Sequence, residues 1–293
     1  MAKVKGKKGK TDYNKTAVAF SLPAFIFQIF FGWLPLIMTF IVAFQKFYVF
    51  KPSPFVGLNN FTLLFNDPTF FTSFRNIAYY TALNLGLTFI IPILIAILLM
   101  EMRKDIIRMM MILWFIPVSG MAGLVIWKWF YNPYYGLFNV ILNTLGFPSL
   151  RWLNDPNLAM ICLVIPGLIM FAPGLIYIAS IQSIPEEFYE AAELEGARFF
   201  QKIWHITLPR LRPIIAMMLI LAIIGNIQAF NSMKVMTAGG PANTTISPVM
   251  YIFNLAFERY KMGIGTAMAM ILFFVVLTLI TIQRKFFKEN IDE

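Results

Sequence analysis

The chain has 293 residues, of which 59% are hydrophobic and only 13% are Asp, Glu, Lys or Arg. Soluble domains contain roughly 45–50% apolar and about 25% charged residues. This sequence therefore has too little polar surface for a soluble enzyme, a disordered protein or a nucleic-acid-binding module. The composition predicts an integral membrane protein.

The formal charge of +10 comes from Lys and Arg residues that lie between apolar runs. That distribution is typical of a membrane protein with basic cytoplasmic loops. Cys162 is the only cysteine, so no intramolecular disulfide is possible, and His205 is the only histidine. These counts argue against a zinc site, and we expect neither a metal nor a cofactor.

Six apolar runs follow a basic leader of residues 1–15 and contain no Asp, Glu, Lys or Arg. A membrane-spanning helix needs roughly 20 largely apolar residues, and the first run is too long for a signal peptide. The predicted spans are approximately 16–44, 76–100, 109–127, 157–182, 213–233 and 262–283. We therefore expect an all-α integral membrane protein with a transmembrane domain at 16–285 and a cytoplasmic tail at 286–293.

The distribution of basic residues predicts the orientation of these spans. Sixteen Lys and Arg residues lie in the leader, the second and fourth loops and the tail, whereas eight lie in the other loops. Because cytoplasmic loops are enriched in Lys and Arg, both termini are expected in the cytoplasm.

Two outer loops carry structural signals of their own. Turn-forming residues in 51–75 predict a short folded loop, and the apolar stretch 137–145 is too short to span and predicts a surface helix. The aromatic run from Trp127 to Tyr131 is typical of a belt at the membrane surface. The alternative is that these rings simply fill a loop.

The polar side chains inside the spans are neutral, among them Asn84, Ser119, Tyr177 and Ser232. Their absence of charge disfavours a proton or sodium pathway. We expect Asn226, Gln228 and Asn231 to line a pathway for a neutral, hydroxyl-rich solute. Asn226 and Gln228 lie about 200° apart on a helix, so both face one cavity only where the helix is unwound. The alternative role for each is a hydrogen bond between helices.

The cytoplasmic loop 183–212 contains five glutamates and a regular apolar series. Pro185 is suited to a first helical turn, Gly196 ends that helix, and 199–206 predicts a second helix that stops at Leu208 and Pro209. A hairpin of two helices with small alanines on one face fits a groove on a partner. The alternative is an ordinary solvated loop.

This loop resembles the EAA loop of the permease subunits of bacterial binding-protein-dependent ABC importers. Glu190, Ala191 and Ala192 are followed after three residues by Gly196, and after nine more by Ile206, Leu208 and Pro209. Other segments are similar to the first permease subunit of the maltose and glycerol-phosphate type. They are 56–61, 127–130 with Tyr135, Gly136 and Asn139, and 237–244.

The resemblance implies a type I ABC importer permease fold in the bacterial inner membrane, surrounded by lipid. The expected partners are a second permease subunit, a cytoplasmic ATPase dimer, an extracellular or periplasmic solute-binding protein, and a sugar. The EAA loop is then expected to contact the ATPase, and Gly196 to tolerate no large side chain there. The chain has no G-x-x-x-x-G-K-[ST] motif, so ATP hydrolysis is expected on a separate subunit and the chain is not expected to be an enzyme.

Three alternatives remain at this stage. A permease of another importer branch, for polyamine or phosphate, would share the EAA loop. A stand-alone carrier or channel would need an internal repeat or charged gating residues, and a membrane-bound enzyme would need a catalytic cluster. The uncharged spans and the 237–244 segment favour sugar.

Overall fold

The computed structural model describes residues 13–100, 102, 104–115, 121–169 and 174–289. Within these ranges the regular secondary structure is helical, with one isolated β-bridge between Gln45 and Phe55. The leader before Tyr13, the end of the predicted tail, and Ser119 lie outside the described residues.

The first helix runs without a break from α1, Tyr13–Gln28, through a π-helical turn, Ile29–Trp33, into α2, Leu34–Ala43. Most of its apolar side chains are exposed, from Val18 to Ile41. Its second half packs against the last helix, α15, Met262–Glu289. There the Phe40 ring lies nearly perpendicular to the rings of Phe273 and Phe274, with ring centres 5.6 and 6.0 Å away. A large apolar face of the first helix thus remains available to lipid or to another chain.

The second long helix consists of α4, Pro68–Asn84, a π-helical turn, Leu85–Phe89, and α5, Ile90–Met100. It begins eight residues before the predicted span because Asp67 caps it, accepting a hydrogen bond from the Thr69 amide at 2.8 Å. Hydropathy alone missed these polar first turns. The predicted folded loop before it also contains a short helix, α3, Asn59–Phe65.

The middle of the chain forms shorter helices. They are α6, Lys104–Phe115; α7, Met121–Phe130; α8, Leu137–Thr144; α9, Ala159–Ile169; and α10, Gly174–Gln182. The predicted surface helix is confirmed by α8, in which Val140 is 51% exposed. The predicted third and fourth spans each fall on two helices, with 116–120 and 170–173 outside the described residues.

The last third contains α11, Glu187–Leu194; α12, Phe199–Lys202; α13, Leu208–Ile227; α14, Pro248–Phe253; and then α15. The prediction that a helix stops at Leu208 and Pro209 is wrong, because a π-helical turn, Ile203–Thr207, joins α12 to α13 without a break. Proline lacks an N–H and its ring clashes with the carbonyl four residues earlier. In the π turn the Leu208 N–H bonds to the Ile203 carbonyl, and this wider register accommodates Pro209 at the start of α13.

Four helices in the described part of the chain are long and apolar enough to cross a membrane. They are Ala17–Ala43, Pro68–Leu99, Phe199–Ile227 and Met262–Gln283. Two shorter apolar helices, Met121–Phe130 and Ala159–Leu168, lie in the regions of the predicted third and fourth spans. The number six and the limits of each span remain predictions.

The described residues contain two buried apolar clusters. One lies at the end of the bundle that carries α3, α8 and α14, which we call the loop end. There Trp127 is only 6% exposed and packs against Tyr131 and Phe138. Its expected position in an aromatic belt is therefore wrong, although its neighbour Trp129 is 51% exposed. The second cluster lies near α11 and includes Ile107, Ile181 and Leu211.

Buried asparagine side chains hold the loop end together. Asn139 donates to the carbonyls of Pro133 and Leu150 at 3.0 and 2.9 Å. Its oxygen accepts from the Leu150 amide and the Trp152 indole at 3.0 and 2.9 Å. All four hydrogen-bonding positions of this amide are occupied, so one side chain fixes the loop that follows α8.

Replacing Asn139 with Ala should lower the stability of the subunit by about 1–3 kcal/mol, because the Leu150 amide and the Trp152 indole would lose their buried acceptor. Thermal unfolding of the detergent-solubilised protein measures this. Asn143→Ala is the matched control, since Asn143 accepts one exposed hydrogen bond from Ser149. Equal melting temperatures for the two variants would contradict the assignment.

Candidate coupling hairpin and substrate path

Residues 187–210 form a helical hairpin, which we call the EAA hairpin. Its first helix, α11, ends in a Schellman motif: the Gly196 amide donates to Glu193 and the Ala197 amide donates to Ala192, both at 2.9 Å. Gly196 has φ +77°, in the left-handed region that glycine occupies without a Cβ penalty. The predicted break at Gly196 is confirmed.

The second arm of the hairpin begins at once after the turn. The Arg198 amide donates to the Gln201 side-chain oxygen at 2.7 Å, which supplies a partner at the start of α12. From there the helix continues through the π turn into α13. The hairpin is therefore a direct extension of the fifth predicted span.

The predicted coupling residues fall into two groups. Glu190, Ala191 and Gly196 are exposed near the tip, and Ala192 is half-buried. Among the residues that the structure describes, a Cβ built on Gly196 would meet no heavy atom within 4 Å. Within this chain the glycine is thus required by its backbone angle and not by crowding; any steric limit would have to come from a partner.

The second group lies on the other arm, away from the tip. Leu208 packs on the apolar cluster around Leu211, Ile206 is half-buried and Pro209 is exposed. The structure does not bring these residues together with Glu190. Their position suits the entry of the helix into the membrane.

Leu194 is a feature of the tip that the sequence analysis missed. Its side chain is 91% exposed and stands between Glu193 and Glu195. An aliphatic residue within a run of glutamates was the available signal, and its near-complete exposure leaves this side chain free to contact a partner.

The predicted substrate residues lie where α13 ends. Asn226 is in its last turn, Gln228 is its C-cap residue, and residues 229 and 230 are not helical. The local unwinding that the prediction required is therefore present. Gln228 and Asn231 are exposed, whereas the Asn226 Nδ2 is buried without a hydrogen-bond partner in the described part of the chain.

Other polar groups inside the bundle differ in their pairing. The hydroxyls of Thr81 and Tyr177 are also buried without a partner among the described residues. Asn84, in contrast, accepts from Thr88 one helical turn later, and the Thr88 methyl would lie 3.0 Å from a Cβ on Gly167. Asn84 thus serves within its own helix, where the π turn after α4 approaches α9 closely.

The loop after the π turn Met233–Thr237 is tied to the second long helix. Asn76 donates to the carbonyls of Asn243 and Ile246 at 2.7 and 3.1 Å. Nearby, the Tyr251 hydroxyl donates to Asp67 at 2.6 Å. Burial would raise the pKa of the Asp67 carboxyl, but hydrogen bonds from Tyr251 and Thr69 outweigh it and lower that pKa.

No group of three or more His, Cys, Asp or Glu side chains that could hold a metal ion occurs among the described residues. Candidate sites in this part of the chain are the hairpin and the polar end of α13.

Known proteins resemble this chain in sequence and in fold. A sulfoquinovosyl glycerol transport system permease protein of Agrobacterium fabrum is 36% identical over 230 residues, which cover 76% of this chain and 73% of that protein. A trehalose/maltose transport system permease protein of Thermococcus litoralis is 33% identical over 273 residues, 90% of either chain. A chain in the crystal structure of a bacterial alginate ABC transporter, in complex with alginate pentasaccharide-bound periplasmic protein, matches with a TM-score of 0.80 at 24% identity, over 92% of this chain and 93% of that one.

A family model described as the binding-protein-dependent transport system inner membrane component matches residues 16–289. This range includes both candidate sites and the four long apolar helices. The chain therefore belongs to the family of inner-membrane components of binding-protein-dependent transport systems: it is a multi-pass membrane permease and a transport component, not a catalytic enzyme.

Proposed function

We propose that the chain is the permease subunit of an ATP-driven importer that carries a sugar or a related polyol into the cell. The observation that carries this proposal is the exposed EAA hairpin, built as a continuous extension of a long apolar helix. Because the hairpin is exposed and continuous with this helix, a separate ATPase that binds the hairpin could displace the helix. The helix beyond it ends in amides suited to hydroxyl groups.

The choice of sugar rests on the chemistry of the path and on the relatives. Asn226, Gln228 and Asn231 are uncharged hydrogen-bonding groups, which match sugar hydroxyls. Phosphate or polyamine would require compensating charge in a low-dielectric site. The permeases named above serve sulfoquinovosyl glycerol and trehalose or maltose. The alternative of another importer branch has less support for these reasons.

The proposed assembly contains a second permease, an ATPase dimer, a solute-binding protein and surrounding lipid. The exposed apolar face of the first helix supports contact with lipid or with the second permease. The EAA hairpin, through Glu190, Ala191, Ala192, Gly196 and Leu194, is the proposed ATPase contact. Ile206, Leu208 and Pro209 are proposed to set the entry of the helix into the bilayer.

The proposed topology has six spans, with the leader, the EAA hairpin and the tail in the cytoplasm. The 16-to-8 distribution of basic residues supports it. The transmembrane domain is proposed at 16–285.

The function is tested by reconstituting the chain with the second permease, ATPase and binding protein of its own organism. ATP-dependent uptake is then measured for a panel of oligosaccharides, spermidine and phosphate. Uptake of one or more sugars is expected. Uptake of spermidine or phosphate alone would establish the alternative.

Of two reporters fused after Glu293, only the one that works in the cytoplasm should be active, because the tail is proposed to be cytoplasmic. Alkaline phosphatase, which is active outside the cytoplasm, should be inactive at this position, and a fluorescent protein that folds in the cytoplasm should be bright. A fusion placed after Tyr135, in a predicted outer loop, serves as the control with the opposite pattern. The reverse pattern would overturn the topology.

Asn226→Ala should reduce sugar uptake without lowering the melting temperature of the subunit. The Asn226 Nδ2 is buried without a partner in the described chain, so its removal sacrifices no internal hydrogen bond. Asn76→Ala is the matched control, since that amide makes two bonds and its loss should lower stability. Normal uptake by Asn226→Ala would contradict the substrate role.

Substitutions at Gly196 should separate backbone strain from crowding by the ATPase. Asn tolerates the left-handed region better than Ala or Asp. If crowding dominates, as we propose, Gly196→Asn and Gly196→Asp both release or uncouple the ATPase while the subunit remains in the membrane. Co-purification of the ATPase and ATP-dependent uptake measure this. Wild-type association and uptake in Gly196→Asn, together with loss in Gly196→Ala, would assign the glycine to backbone geometry alone.

A further inference from the structure

Three side-chain pairs join the two arms of the EAA hairpin. The Tyr189 and Thr207 hydroxyls are 3.0 Å apart, and Thr207 is only 4% exposed. The Lys202 ammonium lies 2.7 Å from the Glu193 carboxylate. The Arg210 guanidinium carbon lies 3.8 Å from the centre of the Phe188 ring, within cation–π range. We call these three pairs the hairpin brace.

The pairs are ordered as in an antiparallel zipper. Moving along α11 from Phe188 to Glu193, the partners on the other arm move back from Arg210 to Lys202. Each pair uses a different interaction, a cation–π contact, a hydroxyl hydrogen bond and an ion pair. The brace therefore resists both separation and sliding of the two arms.

The second arm continues into the bundle as one unbroken helix. From Thr207 the chain is helical to Ile227, so the brace is joined through 19 residue steps, or roughly 28 Å, to Asn226. The link from α10 to α11 differs, because residues 183–186 form turns and bends and no helix. The brace and a continuous helix thus join α11 to α13, whereas the link from α10 to α11 is not helical.

Space next to the hairpin is consistent with such a movement. A cavity of about 630 Å³ separates its inner surface, including Tyr189 and Lys202, from Ile97, Ile107 and Ile181 at the ends of neighbouring helices. The first arm, α11, is therefore held against the second arm, and the hairpin as a whole borders open space on another side.

We propose that the hairpin brace makes α11 and the fifth span one rigid lever, so that ATPase movement is delivered to the Asn226 end of α13. Phe188, Tyr189, Glu193, Lys202, Thr207 and Arg210 are then positioning residues for coupling. This inference rests on the proposed function. It assigns a role to residues that lie between the ATPase contact and the substrate path.

The test measures ATP hydrolysed per sugar imported by the complete transporter in proteoliposomes. Tyr189→Phe and Thr207→Val remove the hydroxyl pair with little change in volume. Each should raise this ratio about two- to tenfold, which is the fold-change that corresponds to the net free energy of one hydrogen bond. The ATPase should still co-purify. The double variant should be no worse than the poorer single variant, since both remove the same contact. Ser183→Ala, which removes a hydroxyl bond to Ser180 in the bendable link, should leave the ratio unchanged.

A cross-link provides a readout that does not depend on a destabilising change. Glu193→Cys and Lys202→Cys, in a Cys162→Ala background, are joined by a short bismaleimide. Retained coupling after cross-linking is expected, because the lever requires the brace to stay closed throughout transport. Loss of coupling on cross-linking, or unchanged ratios in both hydroxyl variants, would overturn the lever. A wild-type assembly with no binding-protein-dependent uptake would instead overturn the proposed function and the lever with it.

Discussion

Buried asparagine side chains at the loop end bind backbone groups of loops that are distant in the chain, and the arrangement of the helices depends on these contacts. Asn60 donates to the carbonyls of Ala43 and Gln45 at 2.9 Å each and so closes the end of the first helix. A Cβ on Gly263 would lie 2.3 Å from that Gln45 carbonyl, so the start of α15 packs directly on the closed end. Asn76 and Asn139 act in the same way on other loops. Each of these amides satisfies two backbone carbonyls, so a change in the position of either loop would leave buried polar groups without partners.

The opposite end of the bundle is organised by continuity of the helix. Pro209 and Pro213 lie within a helix that is unbroken from Phe199 to Ile227. A helix that stopped at Pro209 would leave the EAA hairpin attached by a flexible joint at each side. The π turn before Pro209 removes one of these joints, because its wider hydrogen-bond register keeps the helix continuous through the proline.

The sequence predicted the membrane class, the apolar runs, α8 and the break at Gly196, because these depend on composition and local chemistry. It did not predict that Trp127 is buried, because an aromatic residue near a predicted membrane surface gives no information about which loop covers it. The continuation through Pro209 was missed because the tolerance of proline depends on the preceding turn. At the candidate path, the sequence showed that Asn226 and Gln228 cannot both face one cavity if the helix is regular. It did not show that the helix ends between Asn226 and Asn231.

The contacts that close the loop end are distant in the chain. Asn76 donates to the carbonyls of Asn243 and Ile246, which follow it by 167 and 170 positions. Asp67 accepts from Tyr251, which follows it by 184 positions. At about 5–20 residues per second, ribosomal synthesis needs on the order of ten to forty seconds to produce that separation. During this interval the second long helix is already made, while the Asn76 amide and the Asp67 carboxylate still lack these partners. Completion of the loop end is therefore a late event in biogenesis, dependent on delivery of α14 to the same side of the membrane.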